Sequence, residues 1–305
     1  MYLEDSLSGE KVRIGVYDPS LPGSENKMRA CRDELDGKAV SLIRKLMEST
    51  GEWVFVDEIG YLESASTPFM TALRELMARK RVIAAARKQD TPFLTEIRTG
   101  RDAFCVDLDL PFGNIGCVIM ASGTSRRFGG NKLLAEFCGR PMIEYVLAAT
   151  EGIFTGRVVV TRHPEIAALC ENRGIDVILH DLPFRSDTVR LGLEAVSESD
   201  GCIFCPADQP LLRKDTVASL AMSAANDQVS IWRTAFGEVC GSPVLFPKWT
   251  FEQLAHLPEG KGGGYIARSY PEKVRTVSVR DEYELMDADD RAAFELLSEI
   301  KRNRG

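Results

Sequence analysis

Three glycines and two cations crowd the stretch Ala121-Ser122-Gly123-Thr124-Ser125-Arg126-Arg127-Phe128-Gly129-Gly130-Asn131-Lys132-Leu133-Leu134, directly after the apolar run Ile115 to Met120. Glycine has no Cβ, so backbone N–H groups can approach an anion closely, and Arg127 and Lys132 add full positive charges that amides lack. Together they can hold phosphate. A plain glycine-rich turn with solvated cations would use the same residue types. Further on, Asp208 follows the apolar run Cys202 to Cys205. A carboxylate emerging at a strand end is a hard oxygen donor suited to Mg2+ on phosphates. An aspartate capping the turn Asp208-Gln209-Pro210 is the bland alternative. Asp287 and Asp289 offer more carboxylate oxygens for the same ion, although Asp289 also suits the start of a final helix.

These residues need a frame. Short apolar or β-branched runs at Ile115 to Met120, Val158 to Thr161, Ile175 to Leu179, Cys202 to Cys205, Val229 to Trp232 and Val274 to Val279 alternate with helix-like segments. Such alternation predicts an α/β fold with a doubly wound, mostly parallel sheet, whose ligands bind at the carboxyl ends of the strands. His163-Pro164 places proline in a first helical turn, and Ser186-Asp187 offers capping oxygens before Val189, Leu191, Leu193 and Val196. A final helix over about Asp289 to Ile300 should pack through Phe294, Leu297 and Ile300. The domain boundary is expected at Leu110-Pro111-Phe112-Gly113-Asn114, giving domains 1–110 and 115–305.

With 305 residues and a net charge of −7, the chain has room for two domains and lacks the basic surplus that gathers nucleic acid. No apolar run approaches a membrane span, and the acidic start MYLEDSLSGE does not read as a secretion signal, so a cytoplasmic protein with no membrane partner is expected. Eight cysteines are scattered, without the density of a disulfide scaffold. Cys202 and Cys205 sit three apart on a strand, so they point to opposite faces and cannot pinch a metal. His163, His180 and His256 form no H-x-x-x-H pair, which leaves little support for zinc.

Gly123-x-Ser125-x-Arg127-x-Gly129-x-x-Lys132 followed by Leu133-Leu134 resembles the signature loop of the molybdenum-cofactor nucleotidyltransferases, the group with cytidylyl and guanylyl branches. Cys205-Pro206-Ala207-Asp208-Gln209-Pro210-Leu211 resembles the family's strand-end G-D-Q-P, with Ala207 in place of glycine. Gly241-Ser242-Pro243-Val244-Leu245-Phe246, Leu257-Pro258-Glu259-Gly260-Lys261-Gly262-Gly263 and Leu285-Met286-Asp287-Ala288-Asp289 resemble its remaining landmarks, in the family's order. The resemblance implies a fold of the nucleotide-diphospho-sugar transferase type. It implies transfer of CMP from CTP to the phosphate of molybdopterin with release of pyrophosphate.

In that reading Lys132 and Arg127 neutralise the triphosphate, and Ala121, Ser122, Gly123, Ser125 and Gly129 lie along the nucleotide. Ser186 meets the base and ribose, Gly241 and Pro243 complete the binding surface, and Asp208 holds Mg2+ with Asp287 and Asp289. Two features bear on the nucleotide. The family's A-A-G or A-G-G is here Ala121-Ser122-Gly123, a segment implied to contribute to the choice between cytosine and guanine. The G-S-P-V-L-F and L-P-E-G-K-G-G stretches are closer to the cytidylyl branch, which favours CTP over GTP. The family's D-x-D-T-P-E-D is replaced after Asp289 by Asp290-Arg291, which weakens the second carboxylate assignment. Other readings stay open: an accessory protein that binds the cofactor and delivers it to a molybdoenzyme, or the same chemistry on a sugar phosphate.

The first 110 residues also read as α/β: strand Val12 to Tyr17, helix about Asp33 to Met47, strand Trp53 to Val56, helix about Pro68 to Arg79, strand Val82 to Ala86. Trp53-Val54-Phe55-Val56-Asp57-Glu58-Ile59-Gly60 has the shape of a Walker B strand, and with Tyr61-Leu62-Glu63 and Phe69 it resembles a small family of P-loop nucleoside-triphosphatases. No G-x-x-x-x-G-K-[ST] occurs: Gly37-Lys38 runs into Ala39 and Gly260-Lys261 into Gly262. The expectation is a smaller, incomplete P-loop-like domain, either truncated or without hydrolysis.

Overall fold

The computed structural model describes residues 1–22, 27–100 and 102–304. The chain divides into two compact units, Met1–Cys105 and Val106–Gly305. In the first, β1 (Tyr2–Glu4) pairs antiparallel with β2 (Lys11–Arg13), β3 (Gly15–Tyr17) antiparallel with β4 (Met28–Ala30), and β5 (Trp53–Ile59) parallel with β6 (Arg81–Ala86). The expected strand Val12 to Tyr17 is therefore two strands. Ile14 lies between them, its N–H donating to the Met1 carbonyl while its own carbonyl accepts from Cys31, and the chain changes partners there. The expected helix from Asp33 opens as a short turn, Arg32–Glu34, and passes through a wide turn at Leu35–Ala39 before continuing as Val40–Glu48. Asp57 and Glu58 fall inside β5, with Glu58 accepting from Arg87 Nε at 2.5 Å.

In the second unit β7 (Ile115–Ala121), β10 (Gly156–Thr161), β11 (Asp176–Leu179), β12 (Gly201–Pro206), β13 (Ile231–Phe236), β14 (Val239–Pro247) and β15 (Val274–Ser278) form one sheet; β8 (Glu136–Phe137) and β9 (Arg140–Pro141) form a separate small ribbon. The order is β11-β10-β7-β12-β14-β13-β15, and only β14 runs against its neighbours. The mostly parallel sheet expected from the alternation is present. The strand expected from Val229 begins at Ile231, and β14 was not anticipated as a strand. It returns through the two-residue turn Gly237-Glu238, with Gly237 at φ 57°, a left-handed conformation that glycine adopts without strain.

Alternation along the strands splits the core. Ile115, Cys117, Ile119, Ile203 and Cys205 face one layer of helices, which includes Arg291–Arg304; Val118, Cys202 and Phe204 face the other, which includes Arg185–Ala195. Cys202 and Cys205 are thus buried on opposite sides, and neither is in a disulfide. Phe294, Leu297 and Ile300 pack as the periodicity requires.

The helix Arg185–Ala195 lies very close to β7. A Cβ on Gly192 would sit 2.3 Å from a Val118 methyl. Gly192→Ala is expected to cost about 2 kcal/mol, because the central strand cannot yield. Urea unfolding checks this against Gly130→Ala, where a Cβ meets nothing within 4 Å and the cost should be slight. Equal stabilities for the two variants would contradict the close contact. Among the described residues, no helix is long and apolar enough to cross a membrane.

Candidate active site

The glycine loop is pinned at both ends. Phe128 is buried against Phe294 of the last helix at 5.3 Å between ring centroids, and Leu133 is buried in the core beneath. Within the loop Ser125 takes φ 49° and Gly129 φ 77°, so the backbone doubles back twice. Ser125 Oγ accepts from the Lys132 N–H at 3.4 Å, and Asn131 caps the turn Lys132–Leu134. Lys132 is consequently buried, with its Nζ turned toward the carboxylates.

Those carboxylates come from two distant segments. Asp208 follows β12, and its carbonyl accepts from the Ala288 N–H at 2.9 Å, which ties the segment around Asp287 and Asp289 to the strand end. Gln209, buried beside it, donates through Nε2 to the Leu285 carbonyl at 3.2 Å and to Asp287 Oδ1 at 2.9 Å. One carboxylate oxygen from each of Asp208, Asp287 and Asp289 lies within 4.8 Å of the others. Lys132 Nζ donates to Asp208 at 2.5 Å and to Asp289 at 3.1 Å, while Arg127 donates to Asp289 at 2.6 Å. The last helix is capped by Asp290, which accepts from the Ala293 N–H. Asp289 is thereby left to face the cations, and the helix begins at Arg291 rather than Asp289.

The electrostatics follow from this packing. Burial would lower the Lys132 pKa, but Asp208 and Asp289 outweigh it and raise it. Burial would raise Asp289, yet Lys132 and Arg127 hold it below the usual carboxylate range. Asp287 has no cation in direct contact, and Lys132 acts on it only weakly. Desolvation by the surrounding cleft, then the charge of Asp208, push it up to about 6, even though the residue keeps an exposed side. Three acids gathered this closely, one resisting ionisation, together with the buried and unpartnered Gln209 Oε1, fit a divalent cation.

Asp287 in metal-free protein is accordingly expected to titrate near 6 in a carbon-13 carboxyl NMR titration, and to fall when Asp208→Asn removes the neighbouring charge. The protonated form dominates below that value, so cation binding should strengthen as pH rises through about 6. A titration near 4 in the wild type would contradict this environment.

A cleft of about 450 Å³ opens at the carboxyl ends of β7, β10 and β12. Of the residues singled out from the sequence, Ser122, Gly123, Asp208, Asp287 and Asp289 line it, and Lys132 and Arg127 engage its acids. Ala121 does not: it is buried, its carbonyl accepting from Thr161. Ser125 and Gly129 shape the loop without lining the cleft wall. Ser186 is neither cap nor lining. Phe184 holds the N-cap position, Asp187 accepts from its N–H, and Ser186 is buried one position along the first turn. Arg185 and Thr188, three apart on one helix face, line the cleft instead.

Gly241 and Pro243 also point away, since strand neighbours alternate, and the Ser242 between them lines the cleft. A Cβ on Gly241 would come within 3.0 Å of Leu285, so its glycine serves packing. Sequence reasoning missed Arg162 and Arg185, while Thr188 and Ser242 lay inside stretches it singled out for their neighbours. Arg162 had a usable signal, because it directly follows a strand whose carboxyl end borders the glycine loop.

A mostly parallel sheet carrying a glycine loop, a buried lysine and an acid cluster at its carboxyl edge is the arrangement of a nucleotidyltransferase domain. The family model of the MobA-like NTP transferase domain matches residues 117–274, just over half of the chain, and the chain belongs to that family. The family model described as NTPase matches residues 9–111. Similar curated proteins include a probable molybdenum cofactor guanylyltransferase of Geobacillus sp. (strain WCH70), 25% identical over 143 residues, 46% of this chain and 73% of that protein. Another, with the same description, from Natranaerobius thermophilus is 29% identical over 122 residues, 39% of this chain and 58% of its own length. Among solved structures, a nucleotidyl transferase from Methanothermobacter shares the fold with a TM-score of 0.56 at 19% identity, covering 63% of this chain and 99% of that one.

Proposed function

We propose that the second unit transfers the nucleoside monophosphate of CTP to the terminal phosphate of molybdopterin, releasing pyrophosphate. The observation that carries this reading is the convergence of Lys132, Arg127 and the three acids at the mouth of the glycine loop. An acceptor phosphate is already anionic, so it needs no strong general base to attack the α-phosphorus in line. Catalysis rests on positioning and charge neutralisation, the terms that dominate phosphoryl transfer. Lys132 and Arg127 carry the positive charge toward the triphosphate. Asp208, Asp287 and Asp289 would hold Mg2+, which neutralises phosphate charge when bound.

GTP is the second reading, and the two similar guanylyltransferases favour it. Pyrophosphate release measured with each of the four NTPs, with and without molybdopterin, decides between them. CTP is expected to be used best, and an advantage of roughly tenfold or more for GTP would reverse the assignment. No release with any NTP and molybdopterin would sink the transfer reading and favour a protein that binds the cofactor for a recipient molybdoenzyme, or a different acceptor such as a sugar phosphate.

A further inference from the structure

The cleft is charged unevenly. At one end Lys132 and Arg127 are both engaged by acids. At the other, Arg162 lines the wall beyond β10, beside Ser122 and the apolar surfaces of Pro183 and Phe184. Among the described residues Arg162 pairs with no carboxylate, and its Nε is buried without a hydrogen-bond partner. The neighbouring polar groups do not serve it. Ser122 Oγ donates to the Val160 carbonyl at 3.1 Å and meets His180 Nε2 at 2.9 Å, so those two groups are spent on the protein. Arg162 as a whole is half-buried and lines the cleft, so its guanidinium is a permanently charged set of donors at the cavity wall that no carboxylate answers.

An NTP whose phosphates lie at the Lys132 end extends its base toward the opposite end. Pro183 and Phe184 offer flat apolar surface there, and Arg162 offers donors and no acceptor. A guanidinium fork is satisfied by two adjacent acceptors on one edge. Guanine presents O6 and N7, and cytosine presents O2 and N3; adenine sets an amino group beside N7, and uracil sets an N–H between its carbonyls. We propose that Arg162 reads the nucleobase, admitting cytosine or guanine through a paired-acceptor edge and discriminating against adenine and uracil. The proposal rests on the nucleotide-binding part of the proposed function and says nothing of the acceptor.

Calorimetric binding of CTP, GTP, ATP and UTP with Mg2+, without molybdopterin, tests it in the wild type, Arg162→Gln and Arg162→Lys. The better of CTP and GTP should bind about 10- to 100-fold more tightly than ATP or UTP in the wild type, the discrimination of one bidentate pair. Arg162→Gln should compress that ratio toward one while leaving ATP affinity nearly unchanged. Arg162→Lys keeps the charge but loses the fork, so it should not restore the ratio. Three results would each overturn the proposal: no preference in the wild type, an unaltered preference in Arg162→Gln, or an equal loss for all four nucleotides, the mark of a plain electrostatic anchor. Failure of the transfer reading shows itself separately, as absence of pyrophosphate release from a protein that still ranks the four nucleotides.

Discussion

Asp208→Asn is expected to lower turnover on the order of 10²-fold or more, by analogy with removing one preorganised electrostatic group. The substitution preserves size and shape at the end of β12, so the Ala288 N–H to Asp208 carbonyl bond that gathers the acid segment should survive. What it removes is charge. Asp208 belongs to the acid cluster proposed to hold the cation, and it makes the 2.5 Å contact to Lys132. With that carboxylate neutral, nucleotide binding measured without Mg2+ should hold or improve, since Lys132 then answers mainly to Asp289. Turnover should collapse. Steady-state kinetics paired with nucleotide binding, each with and without Mg2+, separates the two effects. Near-normal turnover in this variant would refute the assignment of Asp208.

Lys132→Ala should reduce turnover by a similar order and, unlike Asp208→Asn, weaken nucleotide binding as well. The ammonium is proposed to meet the triphosphate in both ground and transition states, so its loss appears in binding as well as rate. It also leaves Asp208 and Asp289 facing each other with Asp287 nearby and only Arg127, reaching Asp289, to compensate. Removing one partner of a buried pair destabilises folding, so unfolding midpoints must accompany the kinetics. Lys132→Arg keeps the charge in a wider group and should retain fold while losing rate. Unchanged nucleotide affinity in both lysine variants would place the triphosphate elsewhere.

Much of this site was legible because its chemistry is local. The glycine loop, Arg127 and Lys132 occupy one short stretch, and Asp208 follows a strand whose apolar run announces it. The parallel sheet was legible for the same reason, as alternation recurs along the chain. β14 was not, because Gly241-Ser242-Pro243 interrupts its apolar run with residues that usually mark turns. Helix phase misled at Ser186: moving the start of Arg185–Ala195 back past the expected cap buries that serine and turns Arg185 and Thr188 to the cleft. The choice between Asp289 and Asp290 as helix cap could not be read from two adjacent aspartates. The contact of Ser122 with His180 joins residues 58 positions apart, and only the folded sheet brings them together.

Lys132 sits between Asp208 and Asp289. If Lys132 meets the triphosphate and the acids hold the cation, as proposed, the site works as an ion exchanger. Phosphate can claim the ammonium fully only when another cation takes over the acids, and a cation gains the acids most readily when phosphate draws the ammonium away. Thermodynamic linkage makes this exchange reciprocal: the factor by which the cation tightens nucleotide binding must equal the factor by which nucleotide tightens cation binding. Apparent affinity for either ligand is thus set by the concentration of the other, and a chelator should act on the protein as an inhibitor competitive in effect with nucleotide.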